Sequence, residues 1–362
     1  MTKTTEKPSL FDADNTSALH AISQAQYIAF APYIFQASVL LRDKGILSAI
    51  ESELDKGLFI EEVRDKVKMS HYAVRILLEA GLGIGLVYRK DGRYFLSKTG
   101  SFFINHPMTV VNTDFMKDVC YEGAKELEKS LNQGSPEGLK YLGKWETIYQ
   151  GLAHLPEPAK TSWFNFDHYY SDTAFPKALP IVFASNPKKI MDIGANTGKF
   201  SLACMDYNAD VEMGLVDLQI QLDVAKVNIE QAGYGNRATY YSINMLDKEA
   251  NLPKGYDIIW MSQFLDCFAE EEIVAILRKC YEALDANGRV FINETFWDAQ
   301  RFPVSAFCLQ MTSLYFTTMA NGNSQMYDSD VFFKLIDEAG FRIVNRTDNI
   351  GLSHTILELQ KK

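Results

Sequence analysis

One short stretch limits this chain more than any other. Residues 188–194, Lys-Lys-Ile-Met-Asp-Ile-Gly, read as a single apolar strand that runs through Asp192 into Gly194-Ala195-Asn196-Thr197-Gly198, after which residues 199–207 have helical character. Glycine lets the backbone turn tightly and approach a ligand with no β-carbon in the way. The strand–loop–helix pattern then repeats. Strands are expected at 212–218, 239–245, 256–263 and 289–296, helices at 221–233, 270–284 and 329–340, and two closing strands at 341–347 and 353–360. Alternation of this kind implies an α/β fold with a mostly parallel sheet, covered on both faces and ending in an antiparallel hairpin. Ligands of such sheets bind at the carboxyl ends of the strands, where the strand order switches.

The loop narrows the ligand. A dinucleotide fingerprint needs G-x-G-x-x-G, with the pyrophosphate on the helix N-terminus. Only Gly194 and Gly198 are present, and Asp192 puts a carboxylate beside the loop. That charge would repel a pyrophosphate and suit a ligand with an amino group and a sulfonium. Asp217, closing the second strand, is placed to accept hydrogen bonds from two ribose hydroxyls.

The first part of the chain is different. Residues 21–41 are apolar on nearly all sides, which calls for burial in a large core or against another chain. Helices follow at 60–68 and 71–82, the second capped by Ser70, and residues 86–97 alternate around Asp91-Gly92, a type I′ hairpin signal. Helices followed by a hairpin form a winged-helix pattern. A DNA reader would carry several basic residues on its second helix, and this one offers only Arg75 and His71. The net charge of −10 also argues against a phosphate backbone as partner. A DNA-binding regulator is therefore the weakest of the functional readings. Residues 108–176 read as a helical connector, and residues 177–362 as the α/β domain.

The remaining bounds are quickly stated. Cys120, Cys204, Cys267, Cys280 and Cys308 show no C-x-x-C spacing, so neither a disulfide framework nor a zinc site is expected. The start is polar over 1–16 with no secretory h-region, and no apolar run approaches the roughly 18 residues of a membrane span. A cytoplasmic protein without metal or membrane is expected.

Asp192-Ile193-Gly194-Ala195-Asn196-Thr197-Gly198 resembles the D-x-G-x-G-x-G motif of class I S-adenosylmethionine (SAM)-dependent methyltransferases. With the winged-helix unit at 1–107 ahead of it, the chain resembles the small-molecule O-methyltransferases of the caffeic-acid and bacterial polyketide or carotenoid type. The resemblance implies a Rossmann-like SAM domain behind a dimerisation domain, a homodimer, and a small-molecule acceptor. It implies cofactor contacts from Asp192, Gly194, Asn196, Gly198, Asp217, Leu218, Asn244, Met245 and Ser262. Ser262 stands where plant members carry a lysine, and Asn196 replaces the middle glycine.

The family's base is a histidine, and Asp266 occupies its place in Phe264-Leu265-Asp266-Cys267-Phe268. Glu294 matches a family carboxylate, and a third one near 325 is missing, with Gln325 and Met326 there instead. Asp266 is one candidate base, made useful by burial and by Glu294 as a like charge. It is equally readable as an acidic residue opening the next helix. His168 is a second candidate base. The acceptor pocket is expected to draw on Trp163, Phe164, His168 and Tyr169, and on Phe307, Met311, Leu314 and Tyr315. These suggest a flat apolar acceptor such as a hydroxylated aromatic. A family member with lost or altered chemistry, or with N- or C-methylation, remains the alternative.

Overall fold

The computed structural model describes residue 11 and residues 13–362; residues 1–10 and 12, part of the expected polar start, lie outside the described residues. The chain divides into two compact units, Phe11–Asp118 and Val119–Lys362.

In the first unit the apolar run folds as two helices, α1 (Ala18–Ala29) and α2 (Ala31–Asp43), not one. Pro32 sits in the first turn of α2, where its missing N–H is harmless, and so the break falls just before it. Then come α3 (Ile46–Glu51), α4 (Ile60–Val67) and α5 (His71–Ile84), with Ser70 Oγ accepting from the Ala73 N–H as N-cap. Strands β1 (Val87–Lys90) and β2 (Arg93–Leu96) pair antiparallel, and Asp91 and Gly92 take φ of 51° and 80°, as a type I′ turn requires. Leu41, Ile46, Leu47, Ile50, Val63, Val74 and Leu78 are fully buried together. In contrast α1 has no buried residue: Leu19, Ile28 and, at the start of α2, Tyr33 are 78%, 75% and 79% exposed.

The second unit is built on a seven-stranded sheet. Its strands are β3 (Lys189–Ile193), β4 (Glu212–Asp217), β5 (Ala238–Ser242), β6 (Ile258–Ser262), β7 (Arg289–Thr295), β8 (Phe341–Ile350) and β9 (His354–Lys361), in the order β5-β4-β3-β6-β7-β9-β8. Strands β3 to β7 run parallel, while β9 lies antiparallel between β7 and β8. Both faces are buried, because alternate residues enter opposite cores. Met191, Ile193, Met261 and Ile292 pack on one face, and Ile190, Leu215, Trp260 and Phe291 on the other. Trp260 stacks on Phe200 with ring centroids 4.1 Å apart. The order reverses between β3 and β6, so their carboxyl ends, Ile193 and Ser262, open the crevice where ligands of this topology bind.

Candidate active site

The loop leaving β3 takes left-handed backbone at Gly194, Asn196 and Gly198, with φ of 74°, 46° and 80°. Its fixed points come from the neighbouring strand. The Gly194 N–H donates to the Val216 carbonyl at 2.9 Å, and the Asn196 N–H donates to Asp217 Oδ2 at 2.8 Å. The Leu218 N–H donates to Asp217 Oδ1 at 2.7 Å. Burial lifts the Asp217 carboxyl to about 6, against these two donors. Asn196 Oδ1 is buried and without a partner.

Asp192 is placed differently from the expectation. It is 3% exposed, its Oδ2 accepts from Ser201 Oγ at 2.7 Å, and burial lifts it to about 7. The strand's alternation turns this side chain toward the 199–207 helix. The charge expected to meet a cationic ligand is held behind the loop, where it ties strand to helix. At the other cofactor positions, Met245 is buried in the core beneath β4–β6, and exposed Asn244 caps Leu246 through Oδ1. Ser262 Oγ accepts from Asn293 Nδ2 at 2.9 Å.

Beyond β6 the chain turns sharply. Gln263 adopts φ of 47° and donates its N–H to the Asn293 carbonyl at 3.0 Å. This turn aims the N–H groups of Phe264 and Leu265 at Glu294 Oε1, at 2.9 and 2.8 Å. Glu294 is 2% exposed, and its Oε2 has no partner. Asp266, 4% exposed, lies beside it and accepts from Cys267 Sγ at 3.4 Å. Burial pushes Asp266 up to about 7, and burial together with the charge of Asp266 holds Glu294 well above the usual carboxylate range. Two carboxyls in one dry site cannot both ionise easily, so Glu294 keeps its proton when Asp266 loses its own. Asn321 Nδ2 and Tyr327 Oη pin the segment by donating to the Cys267 and Phe268 carbonyls, each at 2.6 Å.

The helix Ala159–Ser171 brings further groups. Trp163 Nε1 donates to Tyr315 Oη at 2.7 Å, joining two residues expected at the acceptor, and Phe164 packs edge-on against Trp163. His168 is half-buried, and burial with nearby Lys199 lowers its pKa, so it stands as a neutral imidazole. Tyr169 packs against Tyr170. Phe307, Met311 and Leu314 are exposed, at 54%, 40% and 39%, and do not share the burial of Tyr315. Sequence reasoning missed Asp167. It sits one turn after Trp163, and its Oδ2 is 3.5 Å from Asn196 Nδ2. The charge of Asp266 also reaches it. Tyr149, whose buried hydroxyl lies by Cys267, was also missed, having no motif to mark it. No cluster of three metal-ligating side chains is found among the described residues.

A Gly-loop on β3, a carboxylate closing β4 and a strand order that reverses between β3 and β6 define a Rossmann-like methyltransferase site. The donor set fits SAM: left-handed loop backbone, an unpartnered buried amide oxygen and a backbone-held carboxylate where a ribose would lie. The family model of the Dimerisation2-like domain matches residues 23–94, and that of the O-methyltransferase domain matches residues 175–342. The chain belongs to the SAM-dependent small-molecule methyltransferases that join these two domains. It is similar to the L-tyrosine C(3)-methyltransferase of Streptomyces lavendulae, with 25% identity over 87% of this chain and 85% of that one. Among solved structures it resembles the SAM-dependent methyltransferase SibL in its apo form, with a TM-score of 0.71, 22% identity, and coverage of 94% and 99%. It also resembles an O-methyltransferase of neocarzinostatin biosynthesis in complex with SAM and 2-hydroxy-5-methyl naphthoic acid. There the TM-score is 0.63, with 18% identity and coverage of 96% and 100%.

Proposed function

We propose that this methyltransferase acts on a hydroxylated aromatic or polyketide-like small molecule and transfers the methyl to its oxygen. The observation that carries this reading is the buried Asp266–Glu294 pair, which stands at the crevice with a carboxyl lifted to about 7. SAM supplies an electrophilic methyl on its sulfonium. The Gly194–Gly198 loop, Asp217 and Leu218 would hold the cofactor, with Asn244 and Met245 on its adenine side and Ser262 near it.

Asp266 takes the hydroxyl proton. A phenol titrates near 10, so a base at about 7 falls a few units short, a gap that general-base catalysis tolerates. Glu294 accepts two backbone N–H bonds and fixes the turn that carries Asp266, while burial keeps Asp266 from ionising early. Trp163, Phe164, Tyr169 and Tyr315 supply apolar walls, and alignment of acceptor and donor supplies most of the remaining rate.

Methylation at carbon is a second reading, favoured by the similarity to a tyrosine C(3)-methyltransferase. A phenolate made by Asp266 is nucleophilic at its ortho carbon as well as at oxygen. Incubation with methyl-labelled SAM and a panel of phenols, followed by NMR of the product, separates O–CH3 from C–CH3. SAM binding with no methylated product from any phenol would remove both.

The first unit serves pairing of two copies. The exposed apolar residues of α1 and α2 suit a dimer interface, and the acidic surface with two basic residues on α5 disfavours DNA for this winged-helix arrangement. The cytosol is the proposed compartment. All five cysteines are free, and no helix among the described residues is long and apolar enough to cross a membrane.

A further inference from the structure

Asp266 sits on a turn whose main chain is held from both sides. Glu294 Oε1 accepts the N–H groups of Phe264 and Leu265, and the Cys267 carbonyl accepts from Asn321 Nδ2 at 2.6 Å. Asn321 is itself fixed. Its Oδ1 accepts from Ser324 Oγ at 2.7 Å, and its N–H donates to the Phe316 carbonyl at 3.2 Å, closing the π-helical turn Phe316–Ala320. Turns of that kind are rare and collect at functional sites. What the main chain leaves free is rotation of the Asp266 carboxyl. There the Cys267 thiol intervenes, its Sγ donating to Oδ1 at 3.4 Å. Burial and the charge of Asp266 hold this thiol well above its ordinary range, so it keeps its proton and meets an ionised Asp266 as a donor. The buried hydroxyl of Tyr149 lies beside it.

We propose that Cys267 is the positioning residue of the base: its thiol holds Asp266 Oδ1 and leaves Oδ2 to take the acceptor's proton, while Asn321 keeps Cys267 in place. The choice of sulfur matters. A thiol is a weak donor, so it fixes one oxygen while taking little of the carboxylate's basicity. A hydroxyl there would bind the carboxylate more strongly and draw Asp266 back toward its ordinary range. Burial lifts Asp266 to about 7, and the thiol only tempers that rise. Among the described residues, the groups from other elements that act on this pair or feel its charge are Glu294, Tyr149, Tyr315, Tyr327 and Asp167. The three tyrosines are raised and keep their protons near neutrality, as Glu294 does. Asp167, lifted to about 7 chiefly by burial, titrates together with Asp266 and needs its own control. The inference rests on Asp266 as the base and adds what aims it.

The test reads the S–H stretching band by Raman spectroscopy on the full chain and needs no acceptor. The difference spectrum against Cys267→Ala isolates this thiol from the other four cysteines. Cys267→Ser gives the same difference if the alanine variant does not fold. A thiol bonded to a carboxylate is held more strongly than one bonded to a neutral acid, and its band lies lower. The Cys267 band should therefore step to lower frequency as pH rises through about 7. The step should vanish in Asp266→Asn and persist in Asp167→Asn. A band with no step, or a step that survives Asp266→Asn, would overturn the positioning role. Turnover of a phenol gives the second readout. Cys267→Ala should lose about tenfold in kcat at unchanged KM, with its acid limb moved to higher pH. Cys267→Ser should recover most of the kcat, with its limb moved to lower pH. Limbs that coincide in the two variants would also overturn the role. A band that steps near 7 in a protein whose turnover has no acid limb there would instead remove Asp266 as the base, the reading on which the inference rests.

Discussion

The ring of Phe264 lies so close to Gly194 that a β-carbon on the glycine would stand 2.3 Å from Phe264 Cδ2. Gly194 also has φ of 74°, where other residues are strained. Gly194→Ala therefore faces two costs, about 1–2 kcal/mol for the backbone and about 1–3 kcal/mol for overpacking. The expected result is a lower unfolding midpoint in urea and at least tenfold weaker SAM binding. Unchanged values for both would show that the ring moves freely away.

Asp266→Asn removes the proposed base while keeping its shape. Turnover on a phenol should fall by about 10²–10⁴-fold. The pH profile is more telling. In the wild type the rate should rise with pH through about 7, as the Asp266 carboxyl ionises, and in the variant that rise should vanish. A variant that keeps both rate and profile would return Asp266 to a purely structural role at the start of the following helix.

Glu294→Gln separates support from charge. The amide oxygen still accepts from Phe264 and Leu265, and because burial and the charge of Asp266 hold Glu294 well above the usual carboxylate range, a neutral amide replaces an acid that is protonated when Asp266 ionises. The acid limb of the rate profile should therefore stay in place at about 7, where Asp266 ionises. A limb that moves to lower pH would show that Glu294 is charged beside Asp266.

Asp192→Asn tests the cost of a buried acid. The folded-state value, about 7, lies above the ordinary 3.8 of the carboxyl. Its contribution to stability is therefore complete below about pH 4 and is lost as pH rises through 7. The asparagine variant has no such loss and still offers Ser201 an acceptor. Its stability relative to wild type should grow between pH 4 and 7, by at most about 4 kcal/mol. Chemical denaturation at pH 5 and pH 8 checks this; a gap that narrows with pH would refute it.

Ile28→Asp probes pairing. The side chain is 75% exposed in the single chain, so the change leaves the internal core intact. Light scattering coupled to gel filtration should show a dimer for the wild type and a monomer, or a much weaker dimer, for the variant. A wild-type monomer would remove the dimer reading.

Much of the frame was legible before the fold was known. Strand-period runs at 188–194, 212–218 and 289–296 and their intervening helices follow from local apolar spacing, and so does the hairpin at Asp91-Gly92. These depend on neighbours in sequence, and those three strands lie within a residue of expectation, whereas β5 ends three residues before the expected 245 and β8 runs three past the expected 347. The loop Asp192–Gly198 was legible because left-handed backbone restricts residue choice. The break between α1 and α2 was missed, though Pro32 marks it. Asp167 and Tyr149 carried no motif; Asp167 showed only its one-turn spacing from Trp163.

What the amino-acid order settled by itself is the alternation of strands and helices, the glycine turn and the acidic residues at 217, 266 and 294, because these are local choices of backbone and residue type. What only the folded chain decided is which way each charge faces. Asp192 turns behind the loop to Ser201, Glu294 is held by two N–H groups from a turn 30 residues earlier, and Asp167 arrives from another helix. Burial and pairing set the protonation of these groups, and both are properties of packing between segments distant in sequence.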